Sequence, residues 1–403
     1  MTTLRTPRAV RGISLIEMMI AMVIGLIVML AVIQVFAASR AAYQLSEGLS
    51  RVQENSRFAM DTLQRELRMA GHFGCVNDQS HTLQAPGTLA TTLTGTHPAL
   101  DFTRSIQGYE ALDTEPGTEL TILASPTQGG TDYTPALPTE IADALTNRVD
   151  GSDIVALRYL MPDGVPVTSN TGTDDRPVFN FDPARINVLR SGMPSPGLFG
   201  VADCLTATVF QATAVDPAAG TMTFASSGLN GSNAFTNVYA PGQTVLYRAE
   251  SAVFYVGVDA TTGGTSLFRV RFSVVPGGGA IAAGDPEALV EGVENMQLLY
   301  GQDRGLSTTA PTGFIDRQGT AEQLEAAATG ASPAVSLAQA WHRVGGVQLG
   351  LLMSSPAPAT ARQAEGDAAA LTALGVTYTV PNDGRMRSVY QSTIAIRNRL
   401  FGN

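Results

Sequence analysis

The apolar and polar positions fall into two regimes that meet near residue 70. From Met18 to Ser39, 22 residues pass without a formal charge, mostly Met, Ile, Val, Leu and Ala. At about 1.5 Å per residue a helix over that run spans roughly 33 Å, enough for a bilayer core. Beyond it Leu45, Leu49, Val52, Ala59, Leu63, Leu67 and Ala70 recur mostly three or four apart, the spacing of one helical face. Glu47 and Arg51, Glu54 and Arg57, and Asp61 and Arg65 sit at helical neighbour distance on the polar side. No proline occurs between Pro7 and Pro86, and Gly71 is a natural stop. The pattern predicts one helix over residues 13–70, transmembrane over 13–39 and amphipathic over 40–70, its second half covering a sheet.

After residue 70 the period changes. Runs rich in β-branched and aromatic residues predict strands at 119–124, 153–160, 207–215, 244–247, 252–258, 267–275, 344–353 and 388–397. Residues 288–300 read as a short helix turning into a strand. Gly/Pro/Thr-rich stretches at 84–118, 125–150, 161–200 and 305–335 read as loops. No repeat of fixed period is visible. A Gly/Ser/Asn-rich stretch at 226–243 is a weak boundary between two parts of the head at 71–403. The fold class expected is α+β, a long N-terminal helix packed on a large, mainly antiparallel β-rich head with long loops.

Composition narrows the chemistry. All 25 basic residues are arginine, which excludes a phosphate-loop lysine, a Schiff-base lysine and a lysine general base. A net charge of −10 leaves no electrostatic footprint for nucleic acid. The first twelve residues carry Arg5, Arg8 and Arg11 and no acid, so the N-terminus is expected in the cytoplasm and the head beyond the inner membrane. Three readings fit such a start: a secretory signal cut after Val35-Phe36-Ala37, a signal anchor, or a prepilin. Glu17 separates them, because a carboxylate at the head of an apolar span is costly and neither of the first two has a use for it.

Gly12-Ile13-Ser14-Leu15-Ile16-Glu17 resembles the type IV prepilin processing motif. The resemblance implies that residues 1–12 are a leader removed by a prepilin peptidase. Ile13 becomes the methylated first residue, where the family usually has phenylalanine, and Glu17 is the fifth mature residue, acting in assembly. Four further segments resemble minor pilins of the PilW type: GLSRVQENSRFAMDTLQRELRMAGHFGC from Gly48, VADCLTATVFQAT around Cys204, LVEGVENMQLLYG at 289–301, and the terminal STIAIRNRL. That family implies a non-enzymatic role in priming and assembling the pilus near its tip. Its implied partners are other minor pilins, the major pilin, the inner-membrane assembly platform, the prepilin peptidase and a tip adhesin. The chain would sit in the inner membrane as a single-pass protein and in the pilus after assembly. A type II secretion pseudopilin is the alternative of the same class; a signal-anchored periplasmic enzyme or binding protein is the alternative of another.

The two cysteines, Cys75 and Cys204, lie on the oxidising side under this topology, so a disulfide is the simplest expectation. Other chemistry finds little support. Gly277-Gly278-Gly279 lacks the following Lys of a phosphate loop. His72 and His81 flank Cys75 without further ligands at zinc spacing. Asp174, Asp175, Asp303 and Asp316 lack EF-hand spacing and read as solvated loop charges. Trp341 is expected in the core at the start of a strand. No cofactor and no metal are expected.

Overall fold

A computed structural model describes residues 12–77, 89–95, 97–303, 314–331, 335–359 and 371–396; Arg5, Arg8, Arg11 and His81 lie outside them. One α-helix runs unbroken from Leu15 to Met69, and Gly71, at φ +74°, ends it in the left-handed region that glycine adopts without strain. The head behind it is β-rich and mostly antiparallel, giving the α+β class.

Strand Val245–Val258 is the spine of the largest sheet. Its first half pairs with Leu198–Ala202 and Val165–Asn170, its second half with Ile154–Leu160 and Thr265–Ser273, all antiparallel. The sequence pattern divided this strand at 248–251 because Arg248, Glu250 and Ser251 interrupt the apolar run. They are buried, and Arg248 pairs with Glu250 at 2.5 Å, so the polar residues continue the strand. A four-stranded antiparallel sheet follows the order Arg317–Gly319, Val293–Gln302, Val344–Ser354, Arg387–Ala395. A small third sheet joins Leu371–Ala373, Val376–Thr379 and Glu119–Thr121, the last pair parallel.

Several stretches expected as loops contain elements. The stretch 84–118 holds strands Leu89–Thr91 and Ile106–Ala111. Within 125–150 lie strand Tyr133–Thr134 and a turn of helix at Thr139–Ala142. The stretch 161–200 holds strands Val165–Asn170 and Val178–Phe181, helix Ile186–Arg190 and the start of Leu198–Ala202. Helix Ala321–Thr329 lies inside 305–335, opened by a capping box between Thr320 and Gln323. The helix expected at the start of 288–300 is absent: strand Glu287–Glu291 is followed by strand Val293–Gln302, with Gly292 at φ +85° between them. Trp341 is fully buried but sits in helix Leu337–His342, before the strand rather than in it. Its indole Nε1 donates to Glu325 at 2.8 Å and its ring meets Tyr300 edge-on at 5.0 Å. Residues 226–243 carry Phe235 and Tyr239 into an aromatic core with Phe179, Phe210 and Phe224.

The C-terminal half of the long helix seats on the four-stranded sheet and on strands Ile154–Leu160 and Glu287–Glu291. Its buried face is Gly48, Val52, Ser56, Ala59, Leu63 and Leu67. The leucines expected there at 45 and 49 are largely exposed; small Gly48 and Ser56 take the face instead. The reason at Gly48 is a close approach: a Cβ there would lie 2.8 Å from Ala359 Cβ and 3.6 Å from Ser355 Cβ. Full burial of Val52, Leu63 and Leu67 contributes about 1.5–3 kcal/mol each. Polar ties fix the register: Asn55 Nδ2 donates to Glu291 O at 3.1 Å, and Gln64 Nε2 donates to Ser392 Oγ at 2.9 Å. Glu66 accepts from the Tyr159 hydroxyl and pairs with Arg269 at 3.3 Å.

Two carboxyls are buried within the head. Both Asp153 oxygens accept backbone N–H groups, Ala111 at 3.0 Å and Leu298 at 2.8 Å. Glu110 accepts from the Ala321 N–H, while its Oε2 meets no donor among the described residues. Burial pushes both groups well above the usual carboxylate range, and for Glu110 the neighbouring Asp153 adds to it.

Gly48→Leu should lift the helix from Ala359, destabilising the joint by about 1–3 kcal/mol through overpacking. Thermal unfolding and proteolysis within residues 40–70 would register it, and unchanged values would remove the close approach as a constraint. The buried acids make a second prediction. Because the folded state holds their protons where the unfolded state has lost them, stability falls as pH rises from the ordinary carboxylate range upward. Melting temperature should decline between about pH 5 and about pH 9, and Glu110→Gln should flatten that slope.

Candidate functional site

The N-terminal half of the helix is where sequence and geometry converge. Every residue from Gly12 to Arg40 is exposed, and the most apolar stretch of the helix has a mean hydropathy of 2.8. Nothing in the described part of the head covers it. Leu26, Ile27, Met29 and Val32 each keep at least 56% of their surface open, an arrangement that water does not tolerate over such a length. The helix is long and apolar enough to cross a membrane.

Glu17 lies in the first turn and closes the helix start. Its Oε2 accepts from Ser14 N at 2.9 Å, while Ser14 Oγ accepts from Ile16 N at 3.3 Å, so two otherwise orphaned donors are satisfied within the chain. Sequence reasoning singled out the carboxylate and missed Ser14 as its partner, although Ser at the N-cap with Glu three residues on is a readable capping signature. Gly12 and Ile13 precede the helix and are exposed.

The two cysteines belong to two hairpin tips. Cys75 follows Gly74 in the turn between His72–Phe73 and Val76–Asn77. Cys204 lies in the turn joining Leu198–Ala202 to Ala207–Gln211, where Asp203 Oδ1 accepts from the N–H groups of Leu205 and Thr206 at 2.7 Å. The tips touch. A Cβ on Gly74, which sits at φ +75°, would lie 2.9 Å from Ala202 Cβ. A hydrogen bond with the Cys204 thiol is the first cause that raises the Cys75 thiol, with burial second. Both cysteines are exposed and unlinked here.

The remaining candidates are not drawn together. His72 Nδ1 is 2.7 Å from Leu160 O, which ties the end of the long helix to the main sheet. Among the described residues no three His, Cys, Asp or Glu side chains cluster as metal ligands. Asp175 is exposed and held by the Thr173 hydroxyl at 2.6 Å, while Asp303, expected in solvent, is buried. Gly277 stands in a turn and donates to Ala212 O.

Two family models match the chain. The model described as type IV pilus-assembly protein W covers residues 253–398, which include the segment at 289–301 and most of the terminal one. The prokaryotic N-terminal methylation motif covers residues 7–33, the stretch that holds Gly12, Ile13 and Glu17. No curated protein and no solved structure matches. With the motif at one end, the PilW match over the C-terminal third and an uncovered apolar helix long enough to cross a membrane, the chain is similar over those segments to type IV pilus-related, pilin-like proteins.

Proposed function

We propose that this protein is a non-enzymatic minor pilin that takes part in priming and assembling the type IV pilus near its tip. The observation that carries the reading is the division of one continuous helix into a naked apolar half and a half locked onto the head. Stored in the inner membrane, with the N-terminus cytoplasmic and the head periplasmic, the apolar half waits for a bundle of similar helices that can cover it. The head then selects neighbours. In this proposal residues 1–12 are a leader cut by a prepilin peptidase between Gly12 and Ile13. The partners are other minor pilins, the major pilin, the inner-membrane assembly platform and a tip adhesin.

Glu17 is the assembly residue of this proposal. Cleavage creates an α-amino group on Ile13, one residue before the N-cap Ser14 whose backbone N–H Glu17 already holds. An unpaired charge of either kind in an apolar bundle costs several kcal/mol, so a Glu17 carboxylate paired with a neighbouring subunit's terminus fixes axial register. The capping bond to Ser14 uses one carboxylate oxygen and is compatible with a second partner. Cys75 and Cys204 are proposed to close a disulfide once the head reaches an oxidising compartment. Their side-by-side thiols support it. The bond would close a loop of about 130 residues, ideally worth about 5 kcal/mol.

Deletion and complementation should abolish surface pili and leave type II secretion intact; the opposite pattern would assign the chain to a secretion pseudopilus. In the same assay Glu17→Gln should leave the head folded and the mature chain beginning at Ile13, yet lower incorporation into sheared pili. Normal incorporation would dismiss charge-set register, and a chain beginning at Ala38 would dismiss the prepilin reading itself. For the cysteines, non-reducing peptide mapping should join Cys75 to Cys204, and Cys75→Ser should cost about 2–5 kcal/mol of head stability. Free alkylation of both thiols in the native protein would refute the link.

A further inference from the structure

A cleft of about 380 Å³ opens on the head between the small three-stranded sheet and the edge of the main sheet. Its most telling wall is strand Glu119–Thr121. Among the described residues this strand pairs on one side only, with Val376–Thr379. Thr377 N donates to Thr118 O at 3.0 Å, and Ile122 N donates to Thr379 O at 2.8 Å. By strand alternation the backbone groups of Glu119 and Thr121 face the other way, into the cleft, as an unfilled edge. Leu112 and Leu123 flank it and are about half exposed.

The lining has a sign. Of the two lining arginines, Arg387 is consumed by Glu294 and Asp383, at 2.7–2.9 Å, and Arg385 faces the same Asp383 at 3.8 Å. Asp113, Glu119, Asp132 and Asp150 line the same cleft, and none has a salt bridge among the described residues. A second, independent feature is Thr265, which lines the cleft, is 94% buried and whose Oγ1 has no hydrogen-bond partner among the described residues. The wall is also held firm. Arg148 binds the carbonyls of Gly129 and Gly130 at 2.7 Å and those of Ala142 and Leu145 at 2.8 and 3.1 Å, fixing the loop that forms one side.

We propose that this cleft takes an extended, arginine- or lysine-bearing peptide segment of another polypeptide, added as a strand to the open edge of Glu119–Thr121. Main-chain hydrogen bonds to the edge supply affinity, and alternate side chains supply selectivity. Basic side chains on the segment meet the carboxylates that carry no salt bridge among the described residues, and its apolar side chains cover Leu112 and Leu123. The inference rests on the head alone and stands or falls independently of the pilus reading.

The test uses the full chain in detergent micelles and a blocked fluorescent hexapeptide alternating arginine and valine, with its glutamate twin as control. Anisotropy should show saturable binding of the arginine peptide, weakened by salt, and none of the glutamate peptide. Thr121→Pro removes an edge donor that the small sheet does not use, and Asp132→Arg reverses one exposed charge. Each should weaken binding at least tenfold while circular dichroism stays unchanged. Equal binding of both peptides, no binding of either, or indifference to both substitutions would overturn the proposal. So would a dimer of the chain that Thr121→Pro dissociates, which would assign the edge to a second copy.

Discussion

One rigid rod serves two solvents, and the rest of the structure answers to that. Helix Leu15–Met69 has no proline and no break, so its apolar first half and its seated second half move as one body. At about 1.5 Å per residue it is roughly 80 Å long. The free half is stable only where lipid or other apolar helices replace water, and the seated half is stable only on this head. Any transfer of the first half from a bilayer into a bundle therefore carries the head along, without a hinge to absorb it. That is why the joint is built from a close contact at Gly48 and from directional bonds at Asn55, Gln64 and Glu66 rather than from apolar area alone. A loosely oiled face would let the rod roll, and the head would lose its orientation in an assembly.

The parts of this arrangement that were legible in the sequence are those with a long period or a local cap. The uncharged run, the three-and-four spacing through Leu63 and Leu67, the stop at Gly71 and the long strands at 344–354 and 387–395 were readable because each repeats one signal many times. What escaped was carried by single residues. Gly48 and Ser56 hold the seat through smallness, which an apolar count ignores, so that count sets the face too far toward Leu45 and Leu49. Gly292 splits what looked like a helix into two strands by adopting a left-handed turn. Pro166 masked strand Val165–Asn170, where it pairs at a short two-residue contact with Val245–Leu246. Helix Ala321–Thr329 was overlooked beside Gly and Pro although its Thr320–Gln323 capping box stood in the sequence. The two cysteines were paired by compartment; their tips were brought together only by tertiary contact between Gly74 and Ala202.

The absence of lysine acquires a structural meaning in the head. Its many short strands leave connecting segments whose carbonyls have no ladder partner, and buried carbonyls need donors. Arginine meets that need with five donors in a planar fork, whereas lysine offers three from one point and is costlier to strip of water. Arg158 is fully buried and binds the carbonyls of Pro98, Ala99 and Arg104, pinning the segment that crosses beneath Val245–Val258. Arg148 does the same for the loop at 129–145, and Arg387 ties the turn at Asp383 to Glu294 on strand Val293–Gln302. Each guanidinium thus replaces a stretch of regular sheet that the turn-rich sequence cannot make. A conservative change to lysine at Arg148 would keep the charge and orphan at least one of its four carbonyls, so in this chain the choice of cation is part of the fold and not of its chemistry with a ligand.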